Sequence, residues 1–273
     1  MREFEGNKFT DLPERMRIRI EETELDFVII DPDSPQAVQR NIFKRLNTGG
    51  LPLTEQEIRH ALYNGPVTDI LSKLAESKEF QNAVDHKVND SRMAAQELVL
   101  RFLAFSVMGI DEYRKDEEMD AFLSDAMQII NSLKIHGIRK AGATGVSVER
   151  KISNGNINEI QERFVLSLIR ARTLFGDRAF RISTPEREGS RTPVNKSLFE
   201  LWSILLSDMA ERDFEALNAN KERLYEELEK EFSDNESNLR KFIGKDSTKA
   251  ASVRGRYEII REIIDKVIKE EKK

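Results

Sequence analysis

Phe43, Asn47, Gly49 and Gly50, with Arg40 one turn earlier and Arg59 one helix later, are the residues of this 273-residue chain whose types and spacing suit ligand chemistry. The run Phe43-Lys44-Arg45-Leu46-Asn47-Thr48-Gly49-Gly50 closes one predicted helix with a glycine-rich turn. Pro52 and the capping box Thr54-Glu55-Gln56-Glu57 then open the next. On the predicted helix over 36–47, Val38, Ile42 and Leu46 form a core stripe. At 100° per residue, Gln36, Arg40, Phe43 and Asn47 share the far side, within ~60° of one another. A solvated face has little use for Phe43, and a packed face has little use for Arg40 and Asn47. Together they suit a partly buried surface that touches a polar planar group: a base, a phosphate or another protein segment. The same residues also suit a plain C-cap and turn. There is no P-loop lysine and no G-x-G-x-x-G after a strand.

The elements that must position this segment are mostly helical. Beyond Pro35 the apolar spacing predicts helices over 36–46, 54–64, 67–76, 94–108, 119–133 and 160–175. Three more are marked by Leu198 and Met209, by Phe214 through Phe232 as one stripe, and by Val253 through Val267. Helix 94–108 is apolar nearly all round, as suits the centre of a bundle, with Glu97 and Arg101 paired at i,i+4 on its remaining side. Gly176 stops the 160–175 helix, and residues 136–148 and 183–195 read as loops. Ahead of Pro35, Leu25-Asp26-Phe27-Val28-Ile29-Ile30 reads as a strand, apolar on both faces like one buried in a larger sheet. Met16, Ile18 and Ile20 fit either a strand or a helix. One or two strands make a marginal sheet, so the chain reads as a domain whose first half is absent.

Composition narrows the classes. Charged residues make up 34% and hydrophobic residues 39%, and no run offers the ~20 apolar positions of a membrane span. The acidic, polar start is unlike a secretory signal. There is no cysteine, which excludes disulfides, a thiolate nucleophile and a Cys-based zinc site, and fits a cytoplasmic protein. Net charge is −5, against a globally basic nucleic-acid binder. Residues 139–195 nevertheless hold 11 Lys/Arg against 6 Asp/Glu, and residues 245–273 hold 9 against 6. Such sectors either meet phosphates or are ordinary solvated faces.

The run Gln39-Arg40-Asn41-Ile42-Phe43-Lys44-Arg45-Leu46-Asn47-Thr48-Gly49-Gly50-Leu51-Pro52-Leu53-Thr54-Glu55-Gln56-Glu57-Ile58-Arg59 resembles the second signature of the GmrSD-type restriction endonuclease N-terminal domain. The pattern there is F-x-x-x-N, a glycine-rich turn, then L-x-x-x-E-x-R. Glu97-Leu98-Val99-Leu100-Arg101-Phe102-Leu103 and Leu174-Phe175-Gly176-Asp177-Arg178-Ala179-Phe180-Arg181 resemble segments of the family's helical part, and 247–256 matches more loosely. The resemblance implies a fold similar to ParB and sulfiredoxin, with NTP and divalent metal as cofactors and modified phage DNA as substrate. It implies a nucleotide-binding role for Arg40, Phe43, Asn47, Gly49, Gly50 and Arg59, with Phe43 packing and Asn47 hydrogen-bonding near the nucleotide. Arg59 either reaches a phosphate or pairs with a neighbouring carboxylate, and Glu57 is also the capping-box residue.

Two departures bound what is implied. The family's D-G-Q-Q-R signature, which carries its catalytic groups, does not occur in this chain. His60, His86 and His136 are widely spaced and lack the setting of an HNH nuclease centre. His60 reads as a surface or packing residue. No catalytic residue or metal ligand is therefore assigned. The expected fold is mostly α: the remnant of a small α+β, ParB-like domain over 1–65, then a multi-helix bundle over 66–273. The expected function is part of a nucleotide-dependent DNA endonuclease of the phage-defence type, incomplete and inactive alone. An upstream half-domain or partner chain would complete it, with DNA contacts through 139–195 and no membrane association. The alternative is a non-catalytic helical interaction module.

Overall fold

The computed structural model describes residues 6–25, 36–46, 51–88, 90–133, 156–183 and 192–269, with Phe4, Phe27, Ile29 and Ser34 besides. The described residues form thirteen α-helices and no strand. They fall into two units, Met1–Leu46 and Asn47–Lys273.

The first unit carries α1 (Glu14–Glu21) and α2 (Gln36–Leu46). Of the two readings of Met16, Ile18 and Ile20, the helical one holds, in α1. The strand expected over 25–30 is not found: Phe27 and Ile29 belong to no strand and are 80% and 90% exposed, while Asp26, Val28 and Ile30 lie outside the described residues. Ladder pairing needs a second strand, and the described residues supply none. No described residue of this unit is buried.

The second unit begins with α3 (Glu55–Leu62), α4 (Pro66–Ala75) and α5 (Lys78–Ala83). The corner between α3 and α4 is tight. A Cβ on Gly65 would lie 2.7 Å from Asn131 Oδ1. That close approach lets Asn131 accept from Val67 N at 2.9 Å and donate to the Tyr63 carbonyl at 2.9 Å. Helix α5 escaped the periodic reading because six residues show no period; Ser77 caps it by accepting from Phe80 N.

Helix α6 (Ala94–Met108) is the expected centre, buried on almost every side. It packs on α3, α4, α7 (Met119–Ser132), α8 (Ile157–Phe175) and α9 (Lys196–Asp208). Rings lock these helices together. Phe199 of α9 packs against Phe164, Phe180 and Phe80, with centroids 6.3, 4.6 and 5.8 Å away, and Phe102 of α6 lies 4.8 Å from Phe164. Gly176 ends α8 with φ of +56°, a conformation glycine adopts without cost.

The stripe from Phe214 to Phe232 is divided into α10 (Glu211–Ala219) and α11 (Lys221–Ser233). The break is at Asn220, whose side-chain amide donates to the Ala216 carbonyl at 2.8 Å and competes with the helical ladder. Short α12 (Asn238–Ile243) and long α13 (Ala250–Lys269) close the unit, α13 packing on α9, α10, α11 and α12. No helix among the described residues is long and apolar enough to cross a membrane. The loop expected at 136–148 and most of that at 183–195 lie outside the described residues.

Candidate functional site

Helix α2 ends at Leu46, where the sequence places the start of the glycine-rich turn. Ile42 and Phe43 are both half-buried and Val38 is exposed, so the expected stripe is not covered along its whole length. Gln39 Nε2 donates to the Ser34 carbonyl at 2.8 Å and ties the first turn of α2 to the chain before it. Asn47, Gly49, Gly50 and the side chain of Arg40 lie outside the described residues.

Immediately past the turn, the capping box forms in full. Thr54 Oγ1 accepts from Glu57 N at 3.2 Å, and Glu57 Oε2 accepts from Thr54 N at 2.6 Å. Arg92 reinforces it from a loop 35 residues away. Its Nε donates to both Glu57 carboxylate oxygens, at 2.9 and 3.1 Å, and its Nη2 donates to Glu57 Oε2 at 2.8 Å and to the Pro52 carbonyl at 2.5 Å. These bonds, the Arg92 guanidinium first and the Thr54 amide next, lower the Glu57 pKa to about 2. A carboxylate so fully engaged is a clamp on the entry to α3, not a proton carrier.

Arg59 turns the other way. It is 1% exposed, with Nη1 2.5 Å from Asp120 Oδ1 on α7 and Nε donating to Gln56 Oε1 at 3.0 Å. Of the two roles open in the sequence, this is the carboxylate pair. Burial pushes its pKa down, and Asp120 opposes the shift. Its Nη2 is buried without a hydrogen-bond partner. Phe43 belongs to the first unit, and Arg59 is buried inside the second.

The most concentrated electrostatics lie inside the helical unit, where the sequence revealed only one link. Glu97 and Arg101 pair as their spacing requires, at 3.3 Å. Lys196 extends this pair at one end, 2.5 Å from Glu97 Oε2. At the other end Arg101 Nη1 donates to Glu200 Oε2 at 3.1 Å, and Arg256 Nη2 donates to Glu200 Oε1. Arg256 Nη1 reaches the Ser247 carbonyl at 2.5 Å and the Phe242 carbonyl at 3.3 Å. Glu200 and Arg256 are fully buried. Burial raises the Glu97 pKa, but Arg101 and Lys196 outweigh it and hold the carboxyl below its ordinary range. Burial, with Glu200 adding to it, raises the Tyr257 hydroxyl well above its ordinary value. Glu97 and Glu200 each meet two cations, so the network ties α6, α9 and α13 together.

Comparison of the chain with protein-family models, curated proteins and solved structures finds no match. The resemblance therefore rests on the residues quoted for it. The structure gives several of them definite work. Arg181, in the second matched segment, is buried and donates to the carbonyls of Asp177 at 3.1 Å, Val84 at 3.4 Å and Thr192. His60 is half-buried with Nδ1 unpartnered. Among the described residues no three His, Asp or Glu side chains stand close enough to hold a metal ion together.

The residues missed by sequence reasoning are Arg92, Asp120, Glu200 and Arg256. Glu200 carried a usable signal: a lone carboxylate inside Leu198-Phe199-Glu200-Leu201-Trp202 must be paired if the run is buried. Nothing local connects it to residues 101 and 256.

Proposed function

We propose that the chain forms the back portion of a ParB-like nucleotide-binding domain and the helical part of a nucleotide-dependent, phage-defence DNA endonuclease acting in the cytoplasm. The observation that carries this reading is the run 39–59, with its F-x-x-x-N helix end, glycine turn and L-x-x-x-E-x-R helix start. Arg40, Phe43, Asn47, Gly49 and Gly50 form one wall of the nucleotide site, and Arg59 anchors α3 to α7. The geometry that supports the reading is the clamp of Arg92 on Pro52 and Glu57, which holds the chain directly after the glycines in place. An upstream half-domain or partner chain supplies the catalytic groups and, with them, the divalent metal. The 139–195 sector contacts DNA phosphates.

The test is a thermal titration of the intact chain with each NTP and magnesium. A ligand at 100 times its Kd adds about 2.7 kcal/mol. For a unit of this size that raises the midpoint by ~5–10 °C. No shift with any NTP at millimolar concentration overturns the nucleotide reading.

The second reading, a non-catalytic interaction module, is favoured by Leu25, Phe27 and Ile29. They are 69%, 80% and 90% exposed, and an apolar surface of that kind calls for a covering partner.

A further inference from the structure

The two basic sectors of the sequence, 139–195 and 245–273, meet on one cleft of the helical unit, about 470 Å³ in volume. Arg163 of α8 comes from the first sector, and Arg254 and Arg261 of α13 come from the second. Five other described cations of these sectors are committed elsewhere. Arg170 is buried against the carbonyls of Leu206 and Met209 and the Glu211 carboxylate. Arg256 holds Glu200, while Lys249, Lys266 and Lys269 pair with Asp246, Glu227 and Asp265.

The cleft arginines are used differently. Arg254 Nη2 donates to backbone, the carbonyls of Tyr113 at 2.7 Å and Asp111 at 3.4 Å, and pairs with no carboxylate among the described residues. Arg261 lies seven residues on, along the same face of α13, exposed and with no carboxylate partner among the described residues. Glu258 stands between them at helical pairing spacing from both, and among the described residues it forms no ion pair with either. Arg163 has a counter-ion, Asp208, and is partly desolvated, which pushes its pKa down. Phe105, Ile204 and Tyr257 give the cleft an apolar floor.

Guanidinium forks match the oxygen geometry of phosphates and carboxylates. The lining also bears three carboxylates, Asp111, Asp208 and Glu258, of which only Asp208 pairs with a lining arginine among the described residues. Arg254 and Arg261 therefore keep N–H groups for a dianion, and the floor suits an organic body. We propose that this cleft binds a small organic phosphate, gripped by Arg254 and Arg261 and, once released from Asp208, by Arg163. None of the lining residues belongs to the 43–50 segment, so either can fail without the other.

The test is calorimetric titration of the intact chain at low salt with phenyl phosphate, inorganic phosphate and benzoate. Phenyl phosphate should bind most tightly of the three. Arg261→Gln removes an exposed, partnerless side chain, so it should leave the thermal midpoint unchanged and weaken phenyl phosphate about tenfold. Asp208→Asn frees Arg163 and should strengthen binding several-fold, a gain that a structural role for Asp208 would not give. Salt should weaken binding throughout. Absence of heat with phenyl phosphate at millimolar concentration overturns the site. So does an affinity indifferent to both variants, and benzoate binding as tightly as phenyl phosphate overturns the phosphate class.

Discussion

Replacing Glu200 by alanine takes the shared carboxylate from two buried guanidiniums. Arg256 is 0% exposed and Arg101 6%, and each gives Glu200 a charge-assisted hydrogen bond. Arg101 keeps Glu97, whereas Arg256 keeps only the carbonyls of Ser247 and Phe242. Breaking a buried pair from one side costs about 3–5 kcal/mol, because the surviving charge loses its compensation without regaining solvent. For a unit of this size each kcal/mol lowers the midpoint by ~2–4 °C, so Glu200→Ala should melt ~6–20 °C below wild type. Glu200→Gln keeps the shape and one acceptor and should fall between. The double variant Arg101→Ala, Glu200→Ala should cost less than the two single losses added, by ~0.5–3 kcal/mol, because the partners share one interaction. Urea and thermal unfolding can be followed by far-UV circular dichroism and by fluorescence of Trp202, the only tryptophan, which is buried two residues from Glu200. Coincident transitions would establish two-state behaviour. A Glu200→Ala midpoint within a degree or two of wild type, or strictly additive losses, would refute the view that this network holds α6, α9 and α13 together.

The other predictions are narrower. Glu57 titrates near 4.5 when unfolded and at about 2 when folded, so its clamp contributes stability that is full above pH 4.5 and lost as pH falls toward 2. Glu57→Gln should therefore flatten the fall of the urea midpoint between those pH values, and an unchanged slope would show the clamp to be absent in solution. A Cβ at Gly255 on α13 would run into the Phe242 ring, so Gly255→Ala should cost ~1–3 kcal/mol despite its better helix propensity. That cost should shrink when Phe242 is replaced by alanine, and an unaltered cost would point to a cause other than the clash.

Helices with a long apolar period were legible residue by residue. The spacing of Leu98, Val99, Phe102, Leu103 and Phe105 places α6 at the centre because only the side of Glu97 and Arg101 is polar. The capping box was legible too, since Thr54 and Glu57 need only local geometry. What stayed hidden was long-range. Arg92 meets Glu57 across 35 positions, and Arg101, Glu200 and Arg256 converge from three helices. A charge on a mixed helix face looks the same in sequence whether it points to water or to a buried partner. Asn220 illustrates the opposite failure: the apolar stripe runs past it, yet its backbone leaves the helical conformation and its side chain bonds to Ala216 where α10 gives way to α11. The strand expected at 25–30 rested on side-chain preference, which gives no partner to pair with.

The most direct test of the proposed nucleotide site is backbone amide exchange of the intact chain with and without millimolar GTP or ATP and magnesium. It reads where a nucleotide binds as well as whether it binds, and so separates the 43–50 segment from the α13 cleft. Binding at the proposed site predicts slowed exchange from the last turn of α2 through the capping box at Thr54–Glu57, lost in Asn47→Ala while the rest of the chain exchanges as before. Unchanged exchange over 43–57, or protection confined to α8 and α13, would contradict it.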